Sequence, residues 1–573
     1  MKLIIAAGIL ALIIAPSMFA QLKSSTSVPM LSPNICGKGV FTFWLGDQTL
    51  GREEFEIKCD PSGDYAAIGH TNLKGAGGEI DLNTTLEVDK SGETKSSTAK
   101  GTVGGKPFDQ TVLVKGATAT ITSGGGTKEL PFAKGTSLLG GNIFYMFQFL
   151  LAHYDTKRGG VQEIPVFPNL SAKVERVARD EVQASGIAAA PAPTPFDRYS
   201  ITVAVTNVIA WVDAKGRVAT LTVPLQNFAA VREEYASFVP SFKAIISAKM
   251  KETTEVSYSA PSGAPFTAEE VTVEAKGFTL AGTLLIPKTG KPPFAVAVTI
   301  TGSGQQSRDE YLPLPGLEKY RPFRQIAEAL ASRGIAVLRV DDRGVGQSKG
   351  VETLTVSTSA NFADDVRAQV DFLRERRDID PNRIALIGHS EGGVIAPMVA
   401  ATDPRVAAIV LMAGTAKRGD AIISYQVGQG IDGDSSLTEE AKAKAKADQQ
   451  EAMLKAIAGD ASAPEAMRSA WMRYFLTYDP LPTIRKVRQP ILILQGEFDR
   501  QVTADQAEML ASAARESGNK DVTVRVFPKL NHLFLPAKTG AVTEYSSLST
   551  NTISDDVMKQ LTDWLTEKLK VQK

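Results

Sequence analysis

Two patterns of apolar and polar positions meet near residue 260. Before it, short segments alternate. Phe41 and Phe43, Phe55 and Ile57, Leu86 and Val88, and Val112 and Val114 each stand two apart with polar residues around them. A period of two, broken by Gly, Asp and Asn, predicts an antiparallel meander with one face on a core. Residues 142–154 are mostly apolar and predict a helix packed on that sheet. Strands are expected again over 173–182 and 199–205, on either side of an Ala/Pro-rich loop at 188–195. A further hairpin, 209–212 with Val218–Val223, turns at Asp213-Ala-Lys-Gly216.

After residue 266 the alternation gives way to continuous apolar runs. They lie at Phe294–Ile300, Ile335–Val340, 383–387, 407–412, 490–494 and Val522–Phe527. Strands buried on both faces lose their alternation, so these runs predict a mostly parallel sheet covered by helices. Amphipathic stretches at 323–333 and 361–376 supply such helices. Residues 418–487 interrupt the rhythm and include 437–457, rich in the helix formers Ala, Lys and Glu; they are expected to form a lid insertion. A helical stretch is expected near 242–251, and the Ser/Pro/Gly cluster at 257–265 that follows it marks a boundary. The expected organisation is an antiparallel β-rich domain over 21–234, a linker over 235–266, and an α/β domain over 267–573 with its lid at 418–487.

A length of 573 residues suits two or three cores. Lys+Arg and Asp+Glu are equal at 63 each, so no net field favours nucleic acid or an anionic membrane. The first twenty residues differ from the rest: Lys2 precedes the apolar run 3–14, and Pro16 precedes small residues ending at Ala20. This predicts a signal peptide over 1–20, with export to the periplasm or outside and no membrane span after cleavage. An uncleaved anchor is the other reading, because Met18 occupies a position where cleavage prefers a small residue. The two cysteines, Cys36 and Cys59, flank a predicted hairpin at 40–57; a disulfide and a pair of buried thiols both remain open.

The candidate chemistry lies after the boundary. Gly388-His-Ser-Glu-Gly392 follows a buried strand and precedes a helical run at 394–401. A serine hydroxyl becomes a nucleophile when a sharp strand-to-helix turn exposes it beside a base, and that turn crowds its neighbours, so tiny residues are needed two before and two after it. Gly388 and Gly392 meet the need, and Ser390 is the candidate nucleophile. The chain has four histidines. His70 and His153 lie in the N-terminal part, and His389 sits beside Ser390 with its side chain turned elsewhere. His532, after the last predicted strand, is therefore the candidate base. Asp499, in the loop after the 490–494 strand, is the candidate orienting acid, with Glu497 as its rival. For the oxyanion the expected N–H donors are those of Glu391 and Ser303, with Gly304 or Gln305 as alternatives to Ser303. No metal cluster, phosphate loop or dinucleotide fingerprint occurs, and no cofactor is expected.

Five motifs appear in order: Gly302-Ser-Gly304 with Arg308-Asp-Glu310, then Asp342-Arg-Gly-Val-Gly-Gln-Ser348, Gly388-His-Ser-Glu-Gly392, Gly496-Glu-Phe-Asp499, and Asn531-His532. With them, residues 270–573 resemble the bacterial α/β-hydrolases grouped with serine aminopeptidase, dienelactone hydrolase and acyl-ester esterases. The resemblance implies an α/β-hydrolase fold and a serine hydrolase acting on a small-molecule acyl ester through an acyl-enzyme. A peptide or amide would use the same residues, with Glu310, Glu391 or lid acids to hold a terminus, and an inert ligand-binding protein is a third reading. The group usually carries His-Gly at the oxyanion loop where this chain has Thr301-Gly302. Asp342 and Arg343 read as structural. In the N-terminal part Phe41, Phe43, Trp44 and the 143–151 segment are read as core rather than ligand surface.

Overall fold

The computed structural model describes residues 33–571, apart from 47, 76–77, 125, 169, 186–191, 204–205, 255–256, 313, 435–436 and 465–466. The expected signal peptide lies outside the described residues, as does the first half of the Ala/Pro loop. The chain divides into two compact units. The first takes the described residues within 33–255, 427–451 and 464–466; the second takes those within 256–426, 452–463 and 467–573. The insertion expected as one lid, 418–487, is thus shared between the two units. Its helices among the described residues are Gly419–Gly433, Glu439–Ala458, Ala470–Thr477 and the short Leu481–Ile484.

In the first unit, fifteen strands among the described residues form one sheet. Neighbours in sequence pair antiparallel from Gly37–Leu45 out to Gly126–Pro131 on one side. The other side runs from Phe228–Arg232 back to Ser137–Leu138. A single seam joins the halves, with Phe41 opposite Arg232 and Leu45 opposite Phe228. The two edge strands are consecutive in sequence, so the sheet must curl to bring them together. Phe132, just past one edge, meets the ring of Phe167 near the other at 5.4 Å between centroids. The alternating positions point inward: Phe41, Phe43, Ile57, Leu86, Ile121 and Val174 belong to one buried cluster. The helix expected over 142–154 is shorter, Phe147–Ala152, and packs into that cluster through Phe149 and Leu150. Cys36 and Cys59 form a disulfide at the open end of the first hairpin, with Cα atoms 5.9 Å apart. The expected linker is a linker only in part. Val239–Thr254 is a helix, and Tyr235 and Phe242 are buried against Phe196 and Trp211.

One inward position of the first unit is charged. Glu53 shares a strand face with Phe55 and Ile57 and is fully buried. It accepts hydrogen bonds from Thr71 Oγ1 at 2.9 Å and from the N–H groups of Phe144 and Tyr145 at 3.0 and 2.8 Å. Burial outweighs those bonds and raises its pKa from 4.5 to about 7. The native state therefore binds a proton that the unfolded chain releases between about pH 4.5 and about pH 7. Stability from this group is complete below the lower value and is lost as pH rises through the upper one, by about 3 kcal/mol in all. Urea unfolding at pH 5 and pH 8 is expected to show that loss in the parent and little of it in Glu53→Gln; equal slopes in both would assign the pH dependence elsewhere.

The second unit holds an eight-stranded sheet. Its strands are β1 (Phe266–Ala275), β2 (Phe278–Pro287), β3 (Phe294–Ile300), β4 (Ile335–Val340), β5 (Ile379–His389), β6 (Val406–Met412), β7 (Ile491–Gly496) and β8 (Val522–Phe527). Their spatial order is β1-β2-β4-β3-β5-β6-β7-β8. β1, β2 and β4 pair antiparallel, and every pair from β4 to β8 is parallel. The antiparallel β1–β2 hairpin has no counterpart among the expected strands. Crossover helices are α1 (Pro322–Ala331), α2 (Ser359–Glu375), α3 (Gly392–Ala400) and α4 (Asp505–Glu516), with α5 (Asp555–Lys568) at the end. One face of the sheet packs on α2, α3 and α4, through residues such as Val370, Ile395 and Leu510. The other packs on α1 and α5, through Phe323 and Leu561. Because β3, β5, β7 and β8 run parallel, the loops after them leave the same edge of the sheet, where open α/β sheets bind their ligands.

Candidate active site

The turn from β5 into α3 carries Ser390, with φ at +53°, a left-handed conformation that a non-glycine residue adopts only at a cost. The backbone is held there by Ser390 N–H donating to the Met412 carbonyl at 2.8 Å and Gly393 N–H donating to the Ser390 carbonyl at 2.9 Å. The glycines are sterically required. A Cβ on Gly388 would lie 2.0 Å from the Gly392 carbonyl oxygen, and one on Gly392 would lie 2.1 Å from that of Ile300. β5 therefore enters the turn, and α3 leaves it, closely packed against the end of β3.

Two loops bring the other residues together. After β7, Asp499 is buried and receives four donors. Gln501 and Val502 N–H both reach Oδ1 at 2.8 Å, and Gln495 Nε2 reaches Oδ2 at 2.9 Å. The fourth is His532, after β8, whose Nδ1 lies 2.7 Å from Asp499 Oδ2. Nδ1 is thereby the protonated nitrogen of a neutral His532, which leaves Nε2 as the basic one. Glu497 is exposed and accepts from Lys529 N–H at 2.9 Å, so it takes no part in the pair. His532 is tied to the elbow through its own carbonyl, which accepts from His389 Nε2 at 3.0 Å.

The loop after β3 passes over the same spot. A Cβ on Gly302 would stand 3.2 Å from Ser390 Cβ. Gly302 N–H already donates to Glu310 Oε1 at 2.8 Å. The next N–H along, that of exposed Ser303, and the N–H of Glu391 at the start of α3 have no protein acceptor among the described residues. The side chains around the loop fix its shape. Thr301, standing where the resembling group has His, donates through Oγ1 to Asp342 Oδ1 at 2.9 Å, and Gln306 N–H reaches Asp342 Oδ2 at 2.9 Å. Burial, above all, and the charge of Glu310 raise the Asp342 pKa to about 8 against those bonds. Arg343 forks onto both oxygens of Asp365 at 2.8 Å, and Arg308 donates to Asp341 at 2.7 Å through Nη2 to Oδ2 and through its backbone N–H to Oδ1.

Three side chains of the site make contacts that the sequence did not foretell. Glu310, with φ at +55°, and His389 are buried and joined at 2.9 Å. Trp471, on the insertion helix Ala470–Thr477, donates from Nε1 to Glu391 Oε1 at 2.8 Å, and Ser359 Oγ donates to the same oxygen at 2.6 Å. The two carboxylates considered as peptide anchors, Glu310 and Glu391, are thus buried and already bonded.

Residues 316–537 match the family described as serine aminopeptidase, S33, a span that includes Ser390, Glu391, Asp499 and His532. The second unit thus resembles the α/β-hydrolases of that family. This hydrolase unit is similar to esterase EstD of Thermotoga maritima, 28% identical over 321 residues that make up 55% of this chain and 72% of that esterase. It is also similar, over a shorter span, to the thiohydrolase apmlB of Arthrinium phaeospermum. There the identity is 34% over 88 residues, or 15% of this chain and 28% of that one. Among solved structures, the esterase Pf2001 of Pyrococcus furiosus is 16% identical with a TM-score of 0.36, covering 55% of this chain and 96% of its own.

Proposed function

We propose that the hydrolase unit cleaves carboxylic esters of small molecules through an acyl-enzyme on Ser390. The observation that carries this reading is the buried Asp499–His532 pair, bonded through His389 to the strained turn that presents Ser390. In the proposed reaction His532 Nε2 takes the Ser390 hydroxyl proton as Oγ bonds to the acyl carbon. The carbonyl oxygen gains charge and is met by the Glu391 and Ser303 N–H groups. The bond to the leaving alkoxide breaks as His532 returns the proton to it. A water molecule, deprotonated by the same nitrogen, then attacks the acyl carbon; the bond to Ser390 Oγ breaks, His532 returns the proton to Oγ, and the carboxylic acid leaves. Asp499 keeps the proton on Nδ1 and stabilises the imidazolium between the two transfers.

An ester is preferred to the free end of a peptide because an exopeptidase needs a group to hold that terminus, and Glu310 and Glu391 are both engaged inside the protein. Export is part of the proposal. It is supported by the apolar run after Lys2 and by the Cys36–Cys59 disulfide, a bond that persists in oxidising compartments. Hydrolysis of p-nitrophenyl esters from acetate to palmitate tests the reading, together with fluorophosphonate labelling of Ser390. Turnover is expected, with a maximum at one acyl length that sizes the pocket. Labelling without turnover of any ester would move the substrate to amides and peptides. Neither labelling nor turnover would end the serine-hydrolase reading and favour ligand binding without catalysis.

A further inference from the structure

We propose that Glu310 and His389 form a buried ion pair that positions the oxyanion loop and the His532 loop against the Ser390 turn. His389 is thereby a positioning residue for the reaction. The inference rests on the reading of Ser390 as nucleophile.

The proton count follows from the geometry. His389 Nε2 lies 3.0 Å from the His532 carbonyl oxygen, which only accepts, so Nε2 carries hydrogen. His389 Nδ1 lies 2.9 Å from Glu310 Oε1, which also receives the Gly302 N–H at 2.8 Å. A bare nitrogen facing a bare carboxylate oxygen would repel, so one proton lies between them. Burial works against the imidazolium. The charge and hydrogen bond of Glu310, the His532 carbonyl and the charge of Asp499 outweigh it and raise the His389 pKa above its ordinary value. That proton therefore belongs to His389, and the pair is imidazolium and carboxylate.

Each end of the pair holds a different loop. Glu310 Oε1 fixes Gly302, so the next N–H, that of Ser303, is the one left to face the substrate oxygen. His389 Nε2 fixes the backbone of His532. Between them lies the backbone of β5, continuous with Ser390. One two-residue unit thus spans the three loops that the reaction needs in register. The His389 and His532 rings also lie beside each other, tilted by 44° with centroids 4.8 Å apart, and Glu310 Oε2 is buried with no partner among the described residues. The charged and titratable groups around the pair are His532 and Asp499 beside His389, and Asp342 and Tyr320 beside Glu310.

The test is His389→Asn and Glu310→Gln, read as kcat and KM on the best p-nitrophenyl ester, as the pH profile of kcat/KM, and by circular dichroism. His389→Asn keeps a donor toward Glu310 but loses the bond to the His532 carbonyl and the positive charge. It is expected to lower kcat by about 10- to 100-fold, the scale of a misplaced catalytic group, with little change in KM. It also leaves Glu310 as an uncompensated negative charge, so the acid limb of its profile is expected to move to higher pH. Glu310→Gln removes both charges together, because His389 without Glu310 reverts to neutral. It is expected to lower kcat while leaving the limb near the parent's. A folded His389→Asn with the parent's kcat and acid limb would overturn the inference. So would a Glu310→Gln enzyme with full kcat, should His389→Asn fail to fold. Ser390→Ala, assayed alongside, separates the two ideas: turnover surviving in it removes the nucleophile itself, whereas its loss beside an unaffected His389→Asn removes only the pair's role.

Discussion

Ser390→Ala is expected to lower ester turnover by about 10⁶, the scale found when a serine nucleophile is removed from a preorganised site. The change deletes one oxygen and little else. Ser390 is partly exposed, and the bond that seats it runs from its backbone N–H to the Met412 carbonyl, which alanine keeps. Alanine meets the same left-handed φ, so stability is expected to stay within about 1 kcal/mol of the parent. Residual acceleration over water comes from the Glu391 and Ser303 N–H groups and from binding. Steady-state rates with thermal melting of the same preparation check both halves. Turnover within tenfold of the parent, in a folded variant, would place the nucleophile elsewhere.

Asp499→Asn is expected to cost about 10⁴ in kcat at neutral pH. The reason is one of direction. Oδ1 of Asp499 already takes two backbone N–H groups, so an asparagine carbonyl belongs at that position and its NH₂ falls where Oδ2 stood. The NH₂ then faces His532 Nδ1 and Gln495 Nε2, both donors in the parent. Its favourable bond requires Nδ1 to accept, which moves the imidazole hydrogen to Nε2, where it blocks uptake of the serine proton. Opposing the Gln495 amide adds a stability loss of about 1 to 3 kcal/mol. The comparison is Glu497→Gln, which alters an exposed carboxylate and is expected to leave kcat unchanged. A greater loss in Glu497→Gln than in Asp499→Asn would exchange their roles.

How much of this was readable beforehand depended on whether a feature is local in sequence. The βαβ rhythm was legible because strands buried on both faces are written as unbroken apolar runs. The turn at Ser390 was legible because its crowding admits only glycine at 388 and 392. His532 followed from a shortage of histidines, and Asp499 from its place after a buried strand. The β1–β2 hairpin was missed because its alternation looks like the meander before it. Part of the expected linker proved to be core because Tyr235 and Phe242 are isolated aromatics whose partners, Phe196 and Trp211, lie far away in sequence. Glu310 and His389 have no spacing that pairs them; only the meeting of β3 and β5 does. The insertion could be located by its break in rhythm, but nothing local announces that Trp471 reaches Glu391. Glu53 is a different case: a period of two places it on the face of Phe55 and Ile57, but it went unpredicted because a carboxylate in an alternating segment is ordinarily taken to face solvent.

The seam of the first unit bears on how that unit acquires its structure. All but one of its strand pairings along the meander join near neighbours in the chain, and each half can zip from turn to turn with little loss of chain entropy. The exception joins Gly37–Leu45 to Phe228–Arg232, strands separated by nearly the whole of the unit. Closing so long a loop is entropically costly until both surfaces are in place. The local pairings of the two wings are therefore expected to form first, with the seam closing last. A ribosome delivers the two sides of that seam far apart in time. Until the two sides meet, the first strand has an open edge there, while its other edge is paired with the second strand and bridged through Cys36–Cys59.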